Sequence, residues 1–194
     1  MPIEFAASAF ATPGRAVPLA VAAEDAGFDI LHLTDSQCLR GDVYTQLMLC
    51  GQATSRLKLA TGVTNPLTRH PSVTAASIIS IQAECGGRAI LGIGRGDSAV
   101  LHIGKKPASM RVYADYVREL QAYLRGETVD QNGFDSRLRW LDLIETPPKV
   151  PVDMVGSGPK SLRIAAELAD RVTLAVGADP ERIEWGLAQL RDGA

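Results

Sequence analysis

A chain of 194 residues with a formal charge of -2 is long enough for one well-packed domain and short for two. Lysine and arginine never cluster, so composition argues against nucleic acid and anionic membrane surfaces as partners. No stretch approaches the roughly 18 apolar residues of a membrane span, and Met1-Pro2-Ile3-Glu4 lacks the basic start of a signal peptide. A cytoplasmic location is expected, with Cys38, Cys50 and Cys85 as free thiols, since they are odd in number and lack metal-ligand spacing.

The pattern along the chain is strand, then helix, repeated. Ile3 to Ala9 is an apolar run suited to a first strand, and Thr12-Pro13 then reads as an N-cap followed by Pro at the first helical position. That helix carries Val17, Ala20 and Ala23 and stops at Gly27. A second strand, Ile30 to Leu33, ends in Thr34-Asp35-Ser36, and Asp42 is placed to cap the next helix. Leu57 to Val63 reads as a third strand ending in Thr64-Asn65-Pro66, and a helix from Ser72 breaks at Gly86-Gly87. Ala89 to Ile93 is the fourth strand, followed by Gly94-Arg95-Gly96-Asp97-Ser98.

Met110, Tyr113, Val117, Leu120 and Leu124 then draw one apolar stripe at helical spacing, with Gly126 just beyond it. Residues 127–149 interrupt the rhythm as an insertion, and Asn132-Gly133 there is a hairpin-turn signal. Val152 to Val155 is a fifth strand, Gly156-Ser157-Gly158-Pro159 leads into a helix, Val172 to Val176 is a sixth strand, and Pro180 opens a last helix. The strands are apolar almost throughout, which suits parallel strands covered on both faces. The pattern fits either a doubly wound sheet or part of a barrel within one domain, residues 1–194.

Either architecture puts ligands at the C-terminal ends of strands, so candidates are read from the strand exits. Asp35 follows the second strand as a possible acid or base or as a loop-fixing residue. Glu4 lies in the first strand run, where burial without a partner would be costly, so it is a rim residue or a functional one. Gly156-Ser157-Gly158 at a helix start could hold a phosphate with backbone N–H groups, or be only a tight turn. Arg69-His70-Pro71 could reach an anionic ligand or cap its loop. No dinucleotide fingerprint follows the first strand, and there is no metal motif or nucleophile elbow.

Two segments carry a resemblance. Thr61-Gly62-Val63-Thr64-Asn65-Pro66-Leu67-Thr68-Arg69-His70-Pro71 and Gly87-Arg88-Ala89-Ile90-Leu91-Gly92-Ile93-Gly94-Arg95-Gly96-Asp97 resemble the luciferase-like flavin- and F420-dependent oxidoreductases, above all the methylenetetrahydromethanopterin reductase branch. Residues 23–29 and 156–159 extend the likeness. The resemblance implies an α/β fold, a (β/α)8 barrel of the TIM type here cut to about six βα units. It implies coenzyme F420 as cofactor, with FMN as the alternative, and hydride transfer to or from a small organic substrate. It also implies a non-proline cis peptide near Gly62-Val63, behind the cofactor ring.

By position, Gly62, Val63, Thr64 and Asn65 would contact the ring. Gly96, Asp97 and Ser98 would hold the cofactor side chain, and Gly156, Ser157 and Gly158 its phosphate. Glu4 matches an acidic strand-one position, and with Asp35 makes the catalytic pair. Ser36 stands where relatives carry the His of an Asp-His pair, which puts acid–base chemistry there in doubt. The alternatives are an FMN-dependent monooxygenase and a non-catalytic, cofactor-binding or inert remnant. Two absent strands would leave sheet edges open, and a homodimer would cover them.

Overall fold

The computed structural model describes residues 3–191 and 193; Met1-Pro2, read above for a leader, and the terminal residues 192 and 194 lie outside them. The chain runs β1 (Ala6–Phe10), α1 (Ala16–Asp25), β2 (Ile30–Thr34), α2 (Val43–Ala53), β3 (Lys58–Thr61), α3 (Pro71–Glu84), β4 (Ala89–Ile93), α4 (Ser98–Leu101) and α5 (Met110–Leu124). A hairpin of β5 (Val129–Gln131) and β6 (Phe134–Ser136) and a 3-10 turn (Arg139–Leu143) precede β7 (Val152–Gly156), α6 (Pro159–Leu168), β8 (Arg171–Leu174) and α7 (Pro180–Arg191). Six strands form one parallel sheet in the order β1-β2-β3-β4-β7-β8, so consecutive βα units sit side by side. The sheet curls into part of a TIM-type barrel, with helices packed in the order α1, α2, α3, α5, α6, α7 outside it.

The unbroken apolar strand runs have a physical reason. Leu31, Leu33, Leu59, Leu91, Ile93, Val152 and Met154 face outward and make the main core with the helices. Ile30, Ala60 and Ile90 face inward as a second, small cluster. Period-two alternation therefore places apolar residues on both faces. Each buried Leu or Ile contributes roughly 1.5–3 kcal/mol.

Helix starts follow the local chemistry. Asp42 accepts the Thr45 N–H at 2.8 Å to open α2, and Ser109 accepts that of Val112 at 3.3 Å to open α5. Pro71 takes the first position of α3, with the His70 ring as cap. Three expectations are corrected. Strand β1 starts at Ala6, not Ile3. Helix α1 starts at Ala16 rather than after Thr12, because Gly14 adopts φ +76°, outside the helical region. Strand β3 ends at Thr61, where the backbone leaves the ladder through Gly62-Val63 and returns in an isolated bridge between Thr64 and Ile93. The Gly62–Val63 peptide is cis.

Glu24, at the end of α1, clamps the approach to β3. Its carboxylate accepts the backbone N–H groups of Arg56 and Leu57 at 2.7 Å each and of Ser55 at 3.0 Å. Burial alone would raise its pKa, but these backbone donors outweigh it and hold the group at about 2. A carboxylate with a lowered native pKa stabilises fully above the unfolded value near 4.5 and loses that contribution as pH falls toward 2. Glu24→Gln is expected to cost about 1–2 kcal/mol at pH 7 after allowance for solvent screening. The gap between the two urea curves should narrow steadily below pH 4.5; a gap independent of pH would contradict the clamp.

Candidate functional site

Five strand exits converge on one cleft with a cavity volume of about 460 Å³. The exit of β2 brings Thr34, Asp35 and Ser36, and that of β3 brings Gly62, Val63 and Asn65. The loop after β4 contributes Gly94 through Ala99, β7 and the start of α6 contribute Val155, Gly156, Ser157 and Ser161, and Ala175 follows β8. At Gly94 a Cβ would stand 3.1 Å from Val63 Cγ2, so a side chain there would press on the Val63 side chain.

Of the residues singled out from sequence, Asp35, Gly62, Val63, Asn65, Gly96, Asp97, Ser98, Gly156 and Ser157 line this cleft. Thr64 does not: it is fully buried behind the wall and donates its hydroxyl to Asp35 at 2.7 Å. Gly158 also lies outside the lining; it is the N-cap of α6, its carbonyl accepting the Ser161 hydroxyl at 2.9 Å. Glu4 requires a correction. It precedes β1 and pairs with Lys58 and Arg171, the first residues of β3 and β8. Those are the N-terminal ends of the strands, opposite the cleft. The Lys58 and then the Arg171 hydrogen bonds hold its carboxyl below the usual range.

Asp35 stands at the cleft wall, but its carboxylate is already engaged. The side chain is 1% exposed, and one oxygen accepts both Thr64 Oγ1 and Arg69 Nη1, the latter at 2.6 Å. Arg69 reaches Asp42 with its other nitrogen at 2.8 Å, and its guanidinium lies 4.8 Å from the centre of the Tyr44 ring. Burial, aided by the Asp35 charge, pushes the Tyr44 hydroxyl well above the ordinary phenol range. The group therefore knits the β2 and β3 exits together, and Arg69 acts behind the wall rather than on a ligand. Ser36, where a His was expected from the resemblance, lies 3.1 Å from Ser98, hydroxyl to hydroxyl.

Two residues of the lining carry buried, unsatisfied polar atoms. Asn65 is 1% exposed; its Oδ1 accepts the Leu67 N–H at 3.0 Å, while its Nδ2 is buried with no partner among the described residues. Thr34 Oγ1 is likewise buried and unpartnered. A buried polar atom without a partner is costly in a folded protein, and both residues belong to the cleft lining. Arg95 is the cation in the lining; its Nε donates to the Ala108 carbonyl at 2.6 Å, and it has no ion-pair partner among the described residues. Thr34 and Ser161 escaped the sequence reading, although Thr34 adjoins Asp35; Arg95 fell within the strand-four exit, Gly94 to Ser98, without a role of its own. Below the floor lies His32, whose Cβ would stand 2.7 Å from any Cβ at Gly62; burial lowers its pKa, partly offset by Asp153. No cluster among the described residues could hold a metal ion, and no helix among them is long and apolar enough to cross a membrane.

Relatives share this framework. The chain is 35% identical over 176 residues to 5,10-methylenetetrahydromethanopterin reductase of Methanolobus tindarius, covering 89% of this chain and 53% of that one. It is 30% identical over 213 residues to F420-dependent glucose-6-phosphate dehydrogenase of Nakamurella multipartita, covering 99% of this chain and 62% of the other. The solved coenzyme F420 dependent tetrahydromethanopterin reductase of Methanopyrus kandleri superposes with a TM-score of 0.82 at 24% identity, over 100% of this chain and 61% of that one. The chain thus spans between half and two thirds of the length of these proteins. The family model for luciferase-like monooxygenase matches residues 3–194, and with this cleft at the ends of its parallel strands the chain belongs to that family.

Proposed function

We propose that the cleft holds coenzyme F420 in an oxidoreductase that moves hydride between this cofactor and a small organic substrate. The observation that carries the reading is the glycine-walled cleft at the strand exits, with Asn65, whose buried Nδ2 has no partner among the described residues, in its lining, in a chain whose relatives include F420-dependent enzymes. The residues present fit such a group. Gly62, Val63 and Gly94 line the floor with little side-chain bulk, Asn65 and Thr34 add polar side chains to the lining, and the Gly156-Ser157 turn before α6 would offer N–H groups to a phosphate. When bound, a deazaflavin supplies a ring carbon that gives or accepts hydride. The protein's part is to orient that ring and exclude water. Asp97 and Ser98 would hold the cofactor side chain. Asp35 is proposed as a positioning residue rather than an acid or base, because Arg69 and Thr64 occupy its carboxylate.

One observation favours a second reading, an FMN-dependent monooxygenase. Arg95 places an unpaired guanidinium in the lining, which suits a phosphate dianion. We further propose one barrel domain over residues 1–194 with 127–149 as an insertion, and a cytoplasmic location, in keeping with the buried, unpaired Cys50 and Cys85. A homodimer is the proposed assembly, since β1 and β8 are the outer strands of the sheet among the described residues. Side-by-side absorbance titrations with F420 and FMN decide between cofactors: tighter F420 binding is expected, and tighter FMN binding would overturn the preference. Binding of neither would favour an inert remnant.

A further inference from the structure

The loop after β4, Gly94 through Ala99, is the longest continuous piece of the cleft lining. From one side it is held by residues that follow it. The Ala108 N–H donates to the Arg95 carbonyl at 2.9 Å, and the fully buried Val100 packs so close to Gly96 that a Cβ there would stand 2.8 Å from Val100 Cγ1. From the other side it is held by the loop after β2. Ser36 and Ser98 meet hydroxyl to hydroxyl, and one residue further on Gln37 Nε2 donates to the Ala99 carbonyl at 2.8 Å. Residues 36–37 and 98–99 thus form a two-point clasp. It joins the exits of β2 and β4, each of which has a neighbour on both sides in the sheet.

The Ala99 carbonyl depends on this donor. Helix α4 has four residues, and the last carbonyls of a helix lack an N–H from within it. The His102 N–H serves Ser98, and those of Ile103 and Lys105 both serve Val100, so Ile103 passes Ala99 by. Ala99 is 5% exposed, and the donor to its carbonyl among the described residues is the Gln37 amide. A buried carbonyl left without a donor is costly, so the turn would have to shift until water reached it. Gln37 itself is exposed and outside the lining, so it acts on a ligand only through α4. We infer that Gln37 is a positioning residue: its side-chain amide closes the C-terminal end of α4 and so fixes the wall formed by Asp97, Ser98 and Ala99. That this wall holds a cofactor rests on the reading proposed above; the clasp does not.

Hydrogen exchange followed by mass spectrometry, on the whole ligand-free chain, tests the clasp. Gln37→Met keeps the reach of the side chain and removes the donor. The amides of residues 100–105 should then exchange roughly fivefold faster, as the loss of one neutral hydrogen bond implies, while those of α2 and α5 keep their native rates. Gln37→Lys keeps an N–H donor and should recover most of the protection; a side chain needed only to fill space would not distinguish Lys from Met. Absorbance titration of Gln37→Met should show roughly threefold weaker binding, or worse, of whichever cofactor, F420 or FMN, the native chain takes up. Native exchange rates in Gln37→Met, no recovery in Gln37→Lys, or native cofactor affinity despite faster exchange would each overturn the proposal. A native chain that binds neither cofactor would remove the oxidoreductase reading, and the exchange rates would still decide whether Gln37 positions α4.

Discussion

Arg69→Ala should destabilise the chain by about 3–5 kcal/mol, the cost of leaving a buried charge without its partner. Asp35 is 1% exposed at its side chain and would keep only the Thr64 hydroxyl. Asp42 would lose its contact as well, though it still caps α2 through Thr45. Arg69→Lys should recover only part of the loss, because one ammonium cannot reach both acids in fork geometry. Adding Asp35→Asn to Arg69→Ala should restore stability, since the uncompensated charge is then gone. Urea unfolding of the three variants tests this. A loss below about 1 kcal/mol in Arg69→Ala, or no rescue by Asp35→Asn, would show that the two exits are not held by this pair.

Gly156→Val should do two things at once. A Cβ there would stand 2.8 Å from Leu162 Cδ2 and 3.1 Å from Ser161 Oγ. Leu162 is fully buried, so it cannot swing away freely, and overpacking of this kind costs roughly 1–3 kcal/mol. The second effect falls on the ligand. Displacing Ser161 and filling the turn would remove one or two charge-assisted hydrogen bonds to a phosphate, each worth about 1.5–3 kcal/mol, or tenfold or more in affinity. Thermal melting and cofactor titration of the same variant separate the two. A lower melting temperature with unchanged cofactor affinity would make Gly156 a packing residue only.

Much of the framework was legible because local rules and tertiary structure agree. Ala89 to Ile93 and Met110 to Leu124 occur as expected, the first as a fully buried strand and the second with its apolar stripe on the core. The Asn132-Gly133 turn joins β5 to β6. The site was legible in outline, since strand exits converge by topology. The misses are of another kind. Glu4 looked like a strand residue, but which residue of an apolar run enters the ladder first is decided by pairing: Ala6 stands opposite Ile30. That leaves Glu4 below the sheet with Lys58 and Arg171. Thr64 lies between two cleft residues and yet points the other way, because the chain departs from the ladder at Gly62-Val63. Arg69 was read as a possible ligand contact. Its partners Asp35 and Asp42 lie 34 and 27 residues away, a separation no local pattern reveals.

The most direct test of the proposed cofactor cleft is the F420 affinity of native protein against Asn65→Asp. The exchange keeps the Oδ1 that accepts from Leu67 and turns the unpartnered Nδ2 donor into an oxygen acceptor. Saturable F420 binding by the native chain, weakened at least tenfold in the folded variant, is the expected result; a lost hydrogen bond and a new repulsion account for that size. Equal affinity in the two proteins would contradict the account and move any cofactor away from this cleft.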